Sequence, residues 1–423
     1  MQLLIVGSGA REHALAWRLA QDPGVSGVLC VPGNPGMASF VRCLPGNVTD
    51  SEALLALVER EQVDLTVVGP EAALDAGLAD LLRARGHAIV GPVRRAAALE
   101  TSKAFSKRFM ADAGIPTARF LACDTLESAL AAVAGGTFGF PVVVKADGLA
   151  GGKGVVIASE RTEAEAAVRA AMVDRQFGDA GSTLVIEECL TGPEVSFFVL
   201  ADGRRAIPIG SAQDHKRVFD DDCGPNTGGM GAFAPSPLMT PALEAEVMRT
   251  IVQPVLDGLS DDGGYRGFLY VSLMLTSAGP KVIEFNVRFG DPETQVVWPL
   301  LGGNVTEVLH AAALGDLGAR TIPMRPGACV GVVLAAQGYP ANPVTGHPIT
   351  GADADFGPDV TVFHAGTAVR DGHLVTAGGR VLTVVGRGAD HAAAMRKSYE
   401  AVTRISFDGM QFRRDIGKKA LVV

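Results

Sequence analysis

The sequence has no closely spaced pair of cysteines. Its six, Cys30, Cys43, Cys123, Cys189, Cys223 and Cys329, stand singly along 423 residues. Without a CxxC element there is no support for a zinc ribbon or a dithiol redox motif, and six cysteines are too few to staple a chain of this size. Reduced thiols in a cytoplasmic protein are the expectation. Long apolar runs are also missing. The longest uncharged stretch, 326–352, is interrupted by Pro340, Pro343 and Pro348, whereas a bilayer-crossing helix needs about 20 unbroken apolar residues. The opening MQLLIVGSGAREH has no basic segment ahead of its short apolar run, so it does not read as a secretory signal. Positive charge is in deficit. The chain has 37 Lys and Arg against 46 Asp and Glu, a net charge of -9. That argues against general binding to nucleic acid or an anionic membrane and leaves room for local phosphate pockets.

What is plentiful is glycine, 52 residues without a repeating period. This excludes collagen and favours tight turns and phosphate-cradling loops. With 48% hydrophobic and 20% charged residues the chain is globular rather than disordered. At roughly 150 residues per domain, the length corresponds to about three domains. There are no internal repeats.

The first hundred residues alternate short β-branched runs with helical patterns. LLIVG, GVLCVPGN, DLTVVGPE and AIVGP read as strands, and REHALAWRLAQ, LLALVEREQ and LADLLRARG as helices. This order predicts a doubly wound parallel sheet, which binds ligands beyond the carboxyl ends of its strands. SKAFSKRFMADAG then reads as a linking helix. Residues 120–190 form a small α/β unit, with FPVVVKAD and GVVIAS flanking a glycine-rich loop. Longer strands follow over 193–315. After Pro323 a terminal, mostly β segment is closed by the helix HAAAMRKSYEAVTRI.

Four segments carry chemistry. Gly7-Ser8-Gly9 follows a strand and opens a helix, but Glu12 stands where a dinucleotide fingerprint needs Gly or Ala. The second strand ends in Val31-Pro32-Gly33-Asn34, with no acid for a ribose hydroxyl. A nicotinamide cofactor is disfavoured; a phosphate at the helix N-terminus, or a plain tight turn, remains. Asp147–Gly154 is not a P-loop, since Asp147 replaces the first glycine and Gly154 follows Lys153. It reads as a hairpin loop able to lay its amides over phosphates, with Lys145 on the preceding strand. Along Lys281–Phe289, alternation puts Glu284, Asn286 and Arg288 on one face and Ile283, Phe285, Val287 and Phe289 on the other. An acid, an amide oxygen and a guanidinium in line suit a hard cation and a phosphate. A carboxylate-dense turn, Gly290–Gln295, follows directly. The polar stretch Gln213–Gly231 is too dense in donors and acceptors for a plain connection. The histidines His87, His310, His347, His364, His373 and His391 show no paired ligand spacing.

Read in order, GxGxREHAL, PGNPG, VGPEAxL, SKxFxK, KADGLAxGKGV, QDHKR, GPNTGGMGA and EFNxRFGDPETQ, closed by FRRDIG at 412–417, resemble the glycinamide ribonucleotide synthetase family of the ATP-grasp superfamily. The resemblance runs from Met1 to about Gly417. It implies an N-terminal doubly wound domain over 1–101 and a linker helix with a small ATP-grasp lid over 102–192. A large ATP-grasp domain follows over 193–322, then a β-rich C-terminal domain over 323–423.

It further implies that ATP lies between lid and large domain. Lys103 and Lys145 would meet its phosphates, and Gly151, Gly152, Lys153 and Gly154 would close over them. Glu187 and Leu190 would hold adenine through their backbone, and Glu194 the ribose. Glu284 and Asn286 would bind magnesium or manganese; the strand Phe268–Met274 has no acid to add. Arg288, Asp214 and Asp291 would act in catalysis. Gly9, Arg11, Asn34, Glu71, Lys216, Arg217, Asn226, Thr227, Gly228 and Gly229 would line the wall for glycine and 5-phosphoribosylamine.

The implied reaction turns the carboxylate of glycine, a poor electrophile, into glycyl phosphate, which the amine attacks. The implied partners are small molecules, as a monomer or a homodimer, with no nucleic acid or membrane. A different ATP-grasp carboxylate–amine ligase, a bicarbonate-using carboxylase and a non-catalytic nucleotide-binding regulator are the alternatives.

Overall fold

Continuous apolar runs build the first layer. In Gln2–Gly7, residues Leu3 to Val6 are fully buried, as a strand covered on both faces requires. Five parallel strands are ordered Arg42–Cys43, Gly27–Pro32, Gln2–Gly7, Leu65–Val68, Ile89–Val90. Helices Ala10–Leu19, Ser51–Arg60 and Leu78–Ala84 connect them. This is the predicted doubly wound sheet, with an added two-residue edge strand. The edge places Cys30 and Cys43, solitary in sequence, directly opposite one another. The computed structural model describes residues 1–149 and 154–422.

The lid is a four-stranded antiparallel sheet in the order Phe120–Cys123, Leu184–Glu188, Val142–Ala146, Val155–Ala158. Helices Leu126–Ala134 and Arg161–Met172 pack on it, around a small core of its own that includes Val142, Val144, Leu184 and Ile186. Helix Lys103–Asp112 leads into it. Ser102 caps this helix by accepting from the Phe105 N–H, and Asp147 accepts from the Ala104 N–H at 2.6 Å. The stem of the glycine-rich loop is thus fastened to the helix that carries Lys103 and Lys107.

The third layer is one sheet of eight antiparallel strands. Its order is Gly279–Asn286, Arg266–Thr276, Glu194–Asp202, Ala206–Asp214, Gly231–Ala234, Ala328–Ala335, Arg380–Gly388, Val360–His364. The boundary drawn at 322/323 therefore lies in a connection and does not separate two sheets: Gly231–Ala234 pairs with Ala328–Ala335. Helix His391–Val402 covers the C-terminal end. Beneath the Arg288–Gln295 turn, Phe289 stacks on Phe198 at 4.2 Å and meets Phe268 and Trp298 edge-on. Among the described residues no helix is long and apolar enough to cross a membrane.

A buried ion pair locks the N-terminal domain to the segment 301–306, where the helix Val305–Leu314 begins. Arg18 and Asp22 pair at 2.5 Å, and Arg18 also donates to the Leu301 carbonyl at 3.0 Å and the Gly303 carbonyl at 2.9 Å. Asp22 accepts from the Thr306 N–H and hydroxyl. Removing one partner of such a pair strands the other charge in the interior. Arg18→Ala is therefore expected to destabilise the fold by about 3–5 kcal/mol, read as a lower urea midpoint. A midpoint within error of the wild type would contradict this.

Candidate active site

A cleft of about 520 Å³ opens between the lid, the large sheet and the N-terminal domain. Its lid side is held by lysines. Glu187 is buried and lies between Lys107, at 2.5 Å, and Lys145. Lys107 also donates to the Thr117 hydroxyl at 2.8 Å. Burial lowers the Lys107 ammonium to about 8, although Glu187 opposes the shift. Lys103, four residues earlier on the same helix, lines the cleft too. Val143, Val155, Leu190 and Ile283 give this end an apolar wall.

The Glu187 side chain has a task of its own, separate from the backbone contact with adenine that the resemblance implies. It sits inside the strand Leu184–Glu188, opposite Phe120 and Val143, and its carboxylate holds the two lysines. Leu190, just past the strand end, lines the cleft. Gly154 lines it as well, while Gly151, Gly152 and Lys153 lie outside the described residues.

The floor is the strand Gly279–Asn286. Glu284 and Asn286 both line the cleft, as does Arg288 just beyond. Alternation fails at one point. Ser272 pairs with Glu284, but the next partner of Leu273 is Val282, so a bulge at Ile283 turns its side of the strand to the cleft. Val282, Phe285 and Val287 stay in the core. On the neighbouring strand, Ser272 faces Glu284 and Tyr270 faces Asn286, so no acid joins them from there. Burial opposes ionisation of Glu284, but Lys103, Lys145, Lys216 and Arg288 outweigh it and hold its carboxyl below the usual range.

Arg288 is clamped between Glu100 at 2.6 Å and Glu71 at 3.1 Å. Glu100 also accepts from the Val287 N–H at 2.8 Å. Burial pushes the Glu100 carboxyl up to about 7 despite Arg288. For Glu71 the balance reverses: against burial, Arg288 and Arg11 bring it down to about 2.

The far end of the cleft gathers Asp214, Lys216, Asn226, Thr227, Gly228, Asp291 and Glu293. Lys216 pairs with Glu194 at the rim. Tyr270 donates to Glu293 at 2.9 Å, and Ser196 bonds both. Burial raises the Asp214 carboxyl to about 7; Lys216 opposes the rise, and Glu293 and Glu194 add to it. The Asp291 carboxylate is not free: it accepts from Gln295 at 2.8 Å and pairs with Arg380 at 2.9 Å.

Arg11 and Glu71 line the cleft, but Gly9, Asn34, Arg217 and Gly229 do not. Asn34 is consumed by the fold, donating to the carbonyls of Ser8 and His364 and accepting from the Met37 N–H. Arg217 donates to the Gly224 carbonyl inside its own loop. At the helix N-terminus the Gly9 N–H is already taken. The buried Glu12 carboxylate accepts from the Gly9 N–H at 2.6 Å and pairs with Arg11 at 2.6 Å. Gly7 and Gly69 leave room for it, since a Cβ on either would collide with the Glu12 side chain.

Glu100, Lys107, Tyr270, Glu293 and Arg380 also line the cleft, without a role expected from the sequence. Lys107 was recoverable, because Lys103 and Lys107 at i and i+4 share a helix face. Glu293 stands in the carboxylate-dense turn after the Glu284–Arg288 face. Nothing local marks Glu100, Tyr270 or Arg380.

A small antiparallel lid facing a larger antiparallel sheet, with lysines above and an acid–amide pair below, is the arrangement of an ATP-grasp protein. Residues 101–294 match the model described as phosphoribosylglycinamide synthetase, ATP-grasp (A) domain, with the N domain of that family over 1–100 and its C domain over 329–419. The chain belongs to the phosphoribosylglycinamide synthetase family, the one its motifs resemble. It is 48% identical over 423 residues to the phosphoribosylamine–glycine ligase of Ralstonia nicotianae, covering all of both chains. It is 50% identical over 424 residues to that of Phenylobacterium zucineum, again covering both fully. The crystal structure of the Thermotoga maritima phosphoribosylamine–glycine ligase superposes with a TM-score of 0.86 at 35% identity, over 98% of this chain and 100% of that one. The biotin carboxylase domain of Hydrogenobacter thermophilus 2-oxoglutarate carboxylase, solved with MgADP and bicarbonate, shares the fold with a TM-score of 0.74 at 19% identity, over 97% and 91% of the two chains.

Proposed function

We propose that this chain joins glycine to 5-phosphoribosylamine at the expense of ATP, through glycyl phosphate, giving glycinamide ribonucleotide, ADP and phosphate. One observation carries the reading. A single cleft runs from a lysine-lined apolar end under the lid to a polar end built from Asp214, Lys216 and the Asn226–Gly228 turn, with Glu284, Asn286 and Arg288 between them.

Lys145 and Lys103 meet the phosphates of ATP, and Glu187 fixes Lys145 in place. The apolar wall with Leu190 takes the base, and Glu194 at the rim meets the ribose. Glu284, held ionised, and Asn286 offer oxygen donors on one strand, a set that suits magnesium or manganese, which keep most of their shell as water and phosphate oxygen. When bound, such an ion neutralises charge on the phosphates. Arg288 faces the transferring group with a permanent cation. The γ-phosphorus is transferred to a glycine carboxylate oxygen; the amine then attacks the carbonyl carbon, phosphate leaves with that oxygen, and the amine gives up a proton. Positioning and charge supply the rate. The four-segment division at 101, 192 and 322, and a cytoplasmic setting, go with this reading.

Asp214 is placed to take the amine proton. With a carboxyl near 7, it is ionised only above that pH. The expected kcat/KM therefore rises with pH through about 7. Asp214→Asn is expected to flatten that rise and to cost roughly 10²–10⁴ in rate, measured by steady-state kinetics across the range. A wild-type profile with no inflection near neutrality would contradict the role.

The reaction itself is tested by ADP release from purified protein, omitting one component at a time. Release that needs both glycine and phosphoribosylamine, matched by amide product, supports the reading. Turnover with bicarbonate in place of glycine would favour a carboxylase.

A further inference from the structure

The polar end of the cleft is closed by a side chain from the C-terminal part of the chain. Arg380 opens the strand Arg380–Gly388. Its guanidinium pairs with the Asp291 carboxylate at 2.9 Å, and it donates to the Asp291 carbonyl at 2.9 Å and the Gly228 carbonyl at 2.6 Å. Tyr339 accepts from the Gly228 N–H at 3.0 Å. The fit is tight. A Cβ on Gly228 would lie 3.2 Å from the Arg380 guanidinium carbon and 3.4 Å from the Tyr339 oxygen. Gly229 has φ +111°, and a Cβ there would meet Pro292. The Gly228–Gly229 turn therefore rests directly on the Asp291–Pro292 turn, and the planar fork of Arg380 spans both.

We propose that Arg380 is a positioning residue for the ligation: it holds the Asn226–Gly229 turn against Asp291 and so fixes the half of the cleft that receives phosphoribosylamine. The proposal rests on the ligase reading above. A guanidinium is suited to the task because its donors are coplanar and fixed, so one group can serve a carboxylate and two carbonyls; an ammonium has no such fork. Without it, Asp291 loses a cation and the Gly228 carbonyl a donor, and the two turns are free to separate. Lys145, Glu187 and the apolar wall do not touch Arg380, so the ATP half is left intact.

The test compares wild type, Arg380→Met and Arg380→Lys in steady-state kinetics with each substrate varied, together with melting curves. Arg380→Met is expected to raise KM for phosphoribosylamine by about tenfold, equivalent to one lost charged contact, and to lower kcat by on the order of 10². KM for ATP should stay within about twofold, well below the 1.4 kcal/mol of a tenfold change. Arg380→Lys, which keeps a cation beside Asp291, should recover part of the loss. The effects of Arg380→Met and Asp291→Asn should fall well short of additive. Equal shifts in every KM with a lowered melting temperature would mean a merely structural role and overturn the proposal. So would wild-type kinetics in Arg380→Met. A wild type that does not ligate would overturn the ligase reading, and this proposal with it.

Discussion

Glu284→Gln is expected to lower the ligation rate by on the order of 10³, the factor that several kcal/mol of lost charge stabilisation represents. Glu284 is the anionic oxygen donor of the cleft floor. Four cations, Lys103, Lys145, Lys216 and Arg288, hold it ionised against burial. The amide keeps the shape and one oxygen but removes the charge. The phosphates would then meet four cations and no protein anion at that point, and a divalent ion would lose its charged ligand. The second signature is in the metal dependence: the magnesium concentration giving half-maximal ADP release should rise, while the melting temperature stays close to wild type. A near-wild-type rate at ordinary magnesium would remove Glu284 from the metal role.

Arg288→Ala is expected to cost about 10²–10³ in kcat, the usual loss when one preorganised donor to a developing charge is deleted. It has a second consequence, in stability. Arg288 is the cation between Glu71 and Glu100. Even with Arg288 present, burial holds Glu100 at about 7, above the carboxylate reference of 4.5. A raised carboxyl binds a proton in the folded state that the unfolded chain has already released. Folding stability contributed by the protonated form is therefore present below about pH 4.5 and is lost as pH rises towards 7. Removing Arg288 raises Glu100 further and extends the loss to higher pH. Denaturant unfolding from acid to mildly alkaline pH should show the variant falling away from wild type as pH increases. A constant difference would mean that Arg288 does not set the ionisation of Glu100.

How much of this the sequence disclosed depends on the distance over which each feature is encoded. The parallel strands were legible because strands buried on both faces are unbroken apolar runs. The edge strand Arg42–Cys43 is two residues long and carries no such run. The Glu284, Asn286 and Arg288 face followed from alternation, which is local; the bulge at Ile283 depends on how Arg266–Thr276 pairs with it and leaves no mark in the strand's own residues.

Glu12 is instructive in another way. In the sequence it is a departure from a nucleotide fingerprint. The structure turns the same residue into the anion that accepts from the Gly9 N–H at the helix N-terminus. Glu187 shows what a backbone role carried over by resemblance leaves unsaid, since the fold also sets its carboxylate between Lys107 and Lys145. Arg380 was out of reach altogether. It lies 89 residues from Asp291 and 152 from Gly228, and only the tertiary fold brings the three together.

The most direct single measurement follows the oxygen atoms. Glycine labelled with ¹⁸O in both carboxylate positions is incubated with the enzyme, magnesium-ATP and phosphoribosylamine, and the released phosphate is weighed by mass spectrometry. Transfer of the γ-phosphoryl group to the carboxylate predicts one ¹⁸O in each phosphate, with the other retained in the amide. Unlabelled phosphate alongside amide product would contradict the glycyl phosphate route, and with it the roles of Glu284 and Arg288 in that transfer.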